Sequence, residues 1–206
     1  MTKNDFDEAY AKAQDGDFYA ISISDEGSLK DEFGQLAGVL IQFGTGGKAH
    51  MGYLRAKEAD MGIESIDKGT VPTNPIDLYR GKKSVGITFY RLKDLTPEKL
   101  ELMNAEADKI VAEQHPYAWG NIGQLSFRAI LCKVPLVGFF LNEFLWTVPY
   151  FDNSKDLFCS EVTTMIARKA DPTFREKFKQ PNMVTPTRFC ASSRLEIVSE
   201  AVGGNA

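Results

Sequence analysis

"DLFCSEVTTMI", residues 156–166, is the stretch whose reading decides the fold. A short apolar approach, Leu157 and Phe158, turns into a pattern that carries Val162, Met165 and Ile166 on one face of a helix. Asp156 stands where a capping carboxylate would accept the first amide hydrogens, so the spacing predicts a helix starting near Asp156 with Cys159 in its first turn. A thiol is a weak nucleophile until it ionises. The positive end of a helix dipole together with a neighbouring imidazolium favours the thiolate. Position alone leaves the competing role open, because a free cysteine is also a common small filler of apolar cores.

Working outward, the segment before this helix, "FRAILCKVPLVGFFLNEFLWTVPYF" at 127–151, is apolar and aromatic but broken by Lys133, Pro135, Asn142, Glu143 and Pro149. It is too interrupted for a membrane span. An apolar insertion over about 124–155 is expected, either a buried helical hairpin or cap packed on the domain, or else an apolar wall or lid over a substrate pocket, or a surface that touches lipid. Further upstream, "LTPEKLELMNAEADKIVAEQH" at 95–115 reads as a helix, with Thr96 as N-cap, Pro97 at the first helical position, and Leu100, Met103, Ala107, Ile110 and Val111 at helical spacing.

The rest of the chain reads as strands. Asp15-Gly16-Asp17 is turn chemistry before a first strand over Phe18–Ser24, and a glycine loop leads into a second from about Ala49 to Arg55. "MGIESIDKGTV" at 61–71 reads as a third, bounded by Gly62 and Gly69, and "KKSVGITFYRLK" at 82–93 as a fourth. A last strand, "SRLEIVS" at 193–199, precedes a polar tail over about 200–206 that is expected to be loose. Strands first, then two helices and a closing strand predict an α+β fold. A chain of 206 residues with 43% hydrophobic content supports one domain over 1–206.

A net charge of −4 without a Lys/Arg block argues against a nucleic-acid partner. The polar, acidic N-terminus shows no secretory pattern, which predicts a cytoplasmic protein. Cys132, Cys159 and Cys190 are odd in number and far apart, and with only two histidines they suggest reduced thiols rather than a disulfide framework or a zinc site.

An activated Cys159 needs a base. His50, on the strand after the glycine loop, can be held rigidly and still face a cleft, whereas His115 precedes a proline at a helix end, a common structural position. Glu64 is a charged residue inside an apolar strand. Pointing inward it would need a partner and suits a group that orients the imidazole; pointing outward it is only a solvated face.

Taken in order, "QDGDFYAISIS", "AHMGYL", "IESIDKGTV", "VGITFYRLKDLTPEKL", "HPYAWGNIG", "DLFCSEVTTMI" and "VTPTRFCASSRLEIV" resemble the circularly permuted branch of the NlpC-type papain-like cysteine hydrolases, related to the lecithin retinol acyltransferase-like group. The resemblance runs from about Asp15 to Val198. It implies a papain-like fold with an antiparallel sheet packed on helices, Cys159 as nucleophile, His50 as general base and then acid, and Glu64 as the residue that orients His50. It also implies that Tyr117, in "PYAWG", contributes its hydroxyl to the oxyanion site beside the backbone N–H of Cys159. Some 40 residues separate Tyr117 from Cys159, and packing at a helix end is the competing role. Cys190 is implied to be structural, in a proline-containing turn before the last strand.

The chemistry implied is cleavage of an amide, of peptide or amidated cell-wall type, through a thioester, without a cofactor. Two other functions stay open: a lipid acyl hydrolase or acyltransferase using the same Cys-His pair, with membrane contact through the insertion, and a non-catalytic binding protein that keeps the fold.

Overall fold

The computed structural model describes residues 1–23, 47–66, 68–118, 157–181 and 184–203. Helix α1 (Lys3–Lys12) opens the chain, followed by strands β1 (Phe18–Ile23), β2 (His50–Ala56), β3 (Met61–Ile66) and β4 (Gly69–Thr73). A short helix α2 (Pro75–Tyr79) leads to β5 (Val85–Leu92) and the long helix α3 (Pro97–Ala112). Helices α4 (Cys159–Ala170), α5 (Pro172–Lys177) and α6 (Pro186–Cys190) then precede β6 (Leu195–Ala201). The six strands form one antiparallel sheet in the order β4-β3-β2-β1-β5-β6, so the molecule is mixed α and β.

Strand alternation splits the apolar side chains between two layers. Phe18, Ala20, Met51, Tyr53, Ile63 and Tyr90 face α3 and α4, where Met103, Ile110, Val162 and Ile166 complete the larger core. Tyr19, Ile21, Leu54, Ile87 and Phe89 face the other way, toward Phe6 and Tyr10 of α1 and Tyr79 of α2. Covering both faces explains why β1 is buried along almost its whole length.

Several expectations change. The stretch 61–71 is a hairpin of two strands rather than one. Gly69 opens β4 at φ +97, and a Cβ there would lie 2.5 Å from the His115 carbonyl oxygen, so this glycine serves a close backbone approach. The helix expected from Asp156 starts at Cys159. Its N-cap is Phe158, which brings no side-chain hydrogen bond, and Asp156 lies outside the described residues. Glu200 and Ala201 belong to β6, paired with Thr88 and Ile87, so the tail does not begin at residue 200. The turn expected around Pro186 is helix α6, capped by Thr185.

Helix α1 was unforeseen, although Thr2 and Asp5 form a capping box. Thr96 caps α3 as expected, accepting from the Lys99 amide. The apolar insertion expected over about 124–155, with Cys132, lies outside the described residues. No helix among the described residues is long and apolar enough to cross a membrane.

Candidate active site

Cys159 is the first residue of α4, and its side chain is buried in the larger core. The helix packs its Val162, Ile166 and Ala170 face against Met103, Ala107 and Ile110 of α3. Lys169 of α4 and the buried Glu106 of α3 form an ion pair at 3.0 Å beside that seam. In the first turns, Ser160 Oγ donates to the Val184 carbonyl at 2.6 Å and Thr164 Oγ1 to the Ser160 carbonyl at 2.6 Å, which seats the helix start on the segment before α6. Because Phe158 brings no capping oxygen, the amide hydrogens around Cys159 are not consumed by a side-chain cap.

His50 is the first residue of β2, in register with Ile21 of β1. Standing at the strand's end, its ring joins groups from both layers. Its Nε2 lies 2.7 Å from Glu64 Oε2, and the sulfur of Cys159 is close enough to act on the charge of its ring. With Nε2 committed to the carboxylate, Nδ1 is the nitrogen left for the thiol. Burial opposes a charge on the ring, but the sulfur of Cys159 and then the Glu64 carboxylate reverse this and push His50 from 6.5 up to about 10. His50 is therefore an imidazolium at neutral pH. The site brings together Cys159, His50 and Glu64 in the order sulfur, imidazole, carboxylate.

Glu64 points inward and is fully buried. Each of its oxygens accepts two hydrogen bonds. Oε1 takes the hydroxyls of Tyr19 at 2.6 Å and Thr73 at 3.0 Å, and Oε2 takes His50 and the hydroxyl of Tyr79 at 2.8 Å. Burial alone would raise its pKa. The hydrogen bond and charge of His50, followed by the two phenols, hold its carboxyl below the ordinary value instead. The phenols themselves are raised well above theirs, first by burial and then by Glu64, so they remain protonated donors.

These three hydroxyl residues were not singled out in the sequence. Part of the signal was there, since Tyr79 closes a helix announced by Asn74 as N-cap and Pro75 at the first position. The pairing of Tyr19 with Glu64 was not local: it depends on register across three strands.

Tyr117 is brought close to the cysteine in backbone terms. It forms a parallel bridge with Leu157, two residues before Cys159, through Ala118 N–H to Leu157 O at 3.1 Å and Leu157 N–H to Pro116 O at 2.9 Å. Ser65 Oγ donates to the same Leu157 carbonyl at 2.7 Å, and the Thr70 amide donates to His115 O at 3.1 Å. Residues 115–118 thus run between β4 and the approach to Cys159, so the long sequence separation does not keep them apart.

His115 stands outside the site, with its Nε2 2.8 Å from Glu113 Oε2. Cys190 ends α6, and its thiol is pushed up to about 12, chiefly by burial. Among the described residues no group of three or more His, Cys, Asp or Glu is arranged to hold a metal ion. Comparisons with known protein families, with curated proteins and with solved structures find no match for this chain.

Proposed function

We propose that this protein is a cysteine hydrolase that cleaves an amide bond through a thioester on Cys159, on a permuted papain-like scaffold of the NlpC type. The observation that carries the reading is a single imidazole, His50, hydrogen-bonded to a buried carboxylate and close enough to a cysteine in the first turn of a helix for the sulfur to act on its charge. The thiolate of Cys159 attacks the amide carbonyl, forming a C–S bond and an oxyanion. That oxyanion is met by the backbone N–H of Cys159 and by the Tyr117 hydroxyl. As the C–N bond breaks, His50 gives its proton to the departing amine. Neutral His50 then takes a proton from water, the resulting hydroxide attacks the thioester, and the C–S bond breaks to return the thiolate and release the acid.

The test is a panel of amide and ester substrates hydrolysed by the wild type, Cys159→Ala and His50→Ala, with intact mass spectrometry to trap the acyl-enzyme. Turnover is expected only in the wild type, with the acyl mass on the peptide that contains Cys159. Activity that survives Cys159→Ala overturns the assignment.

A further inference from the structure

The packing of Glu64 is more elaborate than orienting one imidazole demands. A carboxylate needs a single oxygen to align His50, yet here both oxygens are filled, three of the four donors are neutral hydroxyls, and they arrive from three different elements: Tyr19 from β1, Thr73 from β4 and Tyr79 from α2. The architecture is shaped around one of them. Tyr19, Gly52 and Glu64 lie in register on neighbouring strands β1, β2 and β3 and face the same layer. Two strand spacings, roughly 9.5 Å, separate the outer pair. The Tyr19 ring crosses the space where a residue on β2 would carry its side chain. A Cβ on Gly52 would stand 2.2 Å from the ring carbon that bears the hydroxyl, and a Cβ on Gly62 of β3 would stand 2.5 Å from the hydroxyl oxygen. Both glycines therefore clear a path for a phenol to reach the carboxylate from two strands away.

This packing bears on where a proton rests. Between a buried imidazole and a buried carboxylate, a proton can sit on either group. A carboxylate with free lone pairs in an apolar layer is the stronger competitor, because burial raises its basicity. Saturating it with donors lowers that basicity, as hydrogen bonds to a charged acceptor are among the strong ones. We propose that Tyr19, Thr73 and Tyr79 are positioning residues that act through Glu64 to keep the shared proton on His50, so that the imidazolium rather than the carboxylic acid faces Cys159. The inference rests on the hydrolase reading of Cys159 and His50. The groups facing Glu64 are the His50 ring, the phenols of Tyr19 and Tyr79 and the hydroxyl of Thr73, with Cys159 beyond His50 and the Tyr10 phenol beyond Tyr19.

Two readouts on the full chain test it. The first is the carboxyl 13C titration of Glu64, assigned with Glu64→Gln. The second is the pH profile of Cys159 alkylation by iodoacetamide, read by peptide mass mapping. In Tyr19→Phe and Tyr79→Phe, the Glu64 midpoint and the acidic limb of the alkylation profile are expected to move up by about one pH unit. Gly52→Ala, which keeps every hydroxyl but displaces the Tyr19 ring, is expected to move both in the same direction. Tyr53→Phe is the control. It also loses a phenol, but one that donates to Asn104 Oδ1 at 2.7 Å in the opposite layer, and it is expected to leave both readouts unmoved.

If Tyr19→Phe and Tyr79→Phe fold and their Glu64 midpoints coincide with the wild type, the proposal is overturned. A shift of equal size in Tyr53→Phe also overturns it, since any buried phenol would then serve. A wild-type profile that follows an ordinary thiol, with a midpoint near about 8.5, overturns instead the hydrolase reading on which the proposal rests.

Discussion

Replacing Glu64 by glutamine removes the site's carboxylate while keeping its shape. The amide oxygen can still accept from His50 and Tyr79, and its NH2 can donate to the hydroxyls of Tyr19 and Thr73 once these rotate, so the substitution preserves packing and deletes a charge. The displacement of His50 from 6.5 to about 10 amounts to a preference of about 5 kcal/mol for the imidazolium in the folded site, at about 1.4 kcal/mol per pH unit. Cys159 and Glu64 share it against burial, with the Cys159 sulfur the larger of the two influences. Removing one opposite charge at this range lowers the imidazole by about one to two units.

The sign of the stability effect follows. His50 is raised in the folded state, so its contribution is fully present below 6.5 and is lost as the pH rises through about 10. Glu64 is lowered, so its contribution is present above 4.5 and is lost as the pH falls through its folded value. The stability gap between wild type and Glu64→Gln is therefore widest from about pH 4.5 up to the lowered His50 value of the variant, about 8 to 9, and narrows from there toward pH 10. The assay is NMR titration of the His50 ring, with urea unfolding at an acidic, a neutral and an alkaline pH. A His50 midpoint unchanged in Glu64→Gln, or a gap that widens as the solution becomes alkaline, would refute the reasoning.

Three further outcomes follow from the scaffold. Gly69→Ala combines a positive φ with a Cβ driven against the His115 carbonyl, and it is expected to cost about 1–3 kcal/mol in chemical unfolding; a neutral effect would mean that β4 and residues 115–118 are not in contact. Thr96→Ala removes the cap of α3 and is expected to cost about 1 kcal/mol, measured by thermal unfolding, with Thr96→Ser restoring most of it. Asp171→Ala strips α5 of its cap, at the Thr173 and Phe174 amides, and leaves Arg194 without its 2.7 Å partner, so about 2–4 kcal/mol is expected to be lost. Burial opposes ionisation of Asp171, but Arg194 and the α5 amides hold it below 3.8, so that loss should shrink as the pH falls through its folded value, in urea titrations from neutral to strongly acidic pH.

Much of the site was legible because its parts obey local rules. A cysteine at the start of an amphipathic helix, a histidine at a strand start and a charged residue inside an apolar strand each stand out from their own neighbours, and the structure hydrogen-bonds His50 to Glu64 and brings Cys159 close to the same imidazole. The hairpin at 61–71 was harder to see. Its break falls at Gly69, and the partner that requires a glycine there, the His115 carbonyl, is distant in sequence. Helix α4 lacks the side-chain cap expected of it, and the residue at its N-cap is the buried Phe158.

By itself the sequence determined the element types over most of the described chain, the position of α3 down to its cap, and the three residue types that meet at the site, because periodicity, capping and the rarity of buried charge are properties of short windows. Only the tertiary structure decided what surrounds them. Register across β1, β2 and β3 puts a tyrosine on the far side of a glycine from Glu64, and chain pairing sets Tyr117 beside Leu157. Both depend on which strands become neighbours, and that is fixed by the packing of whole layers rather than by any short stretch of chain.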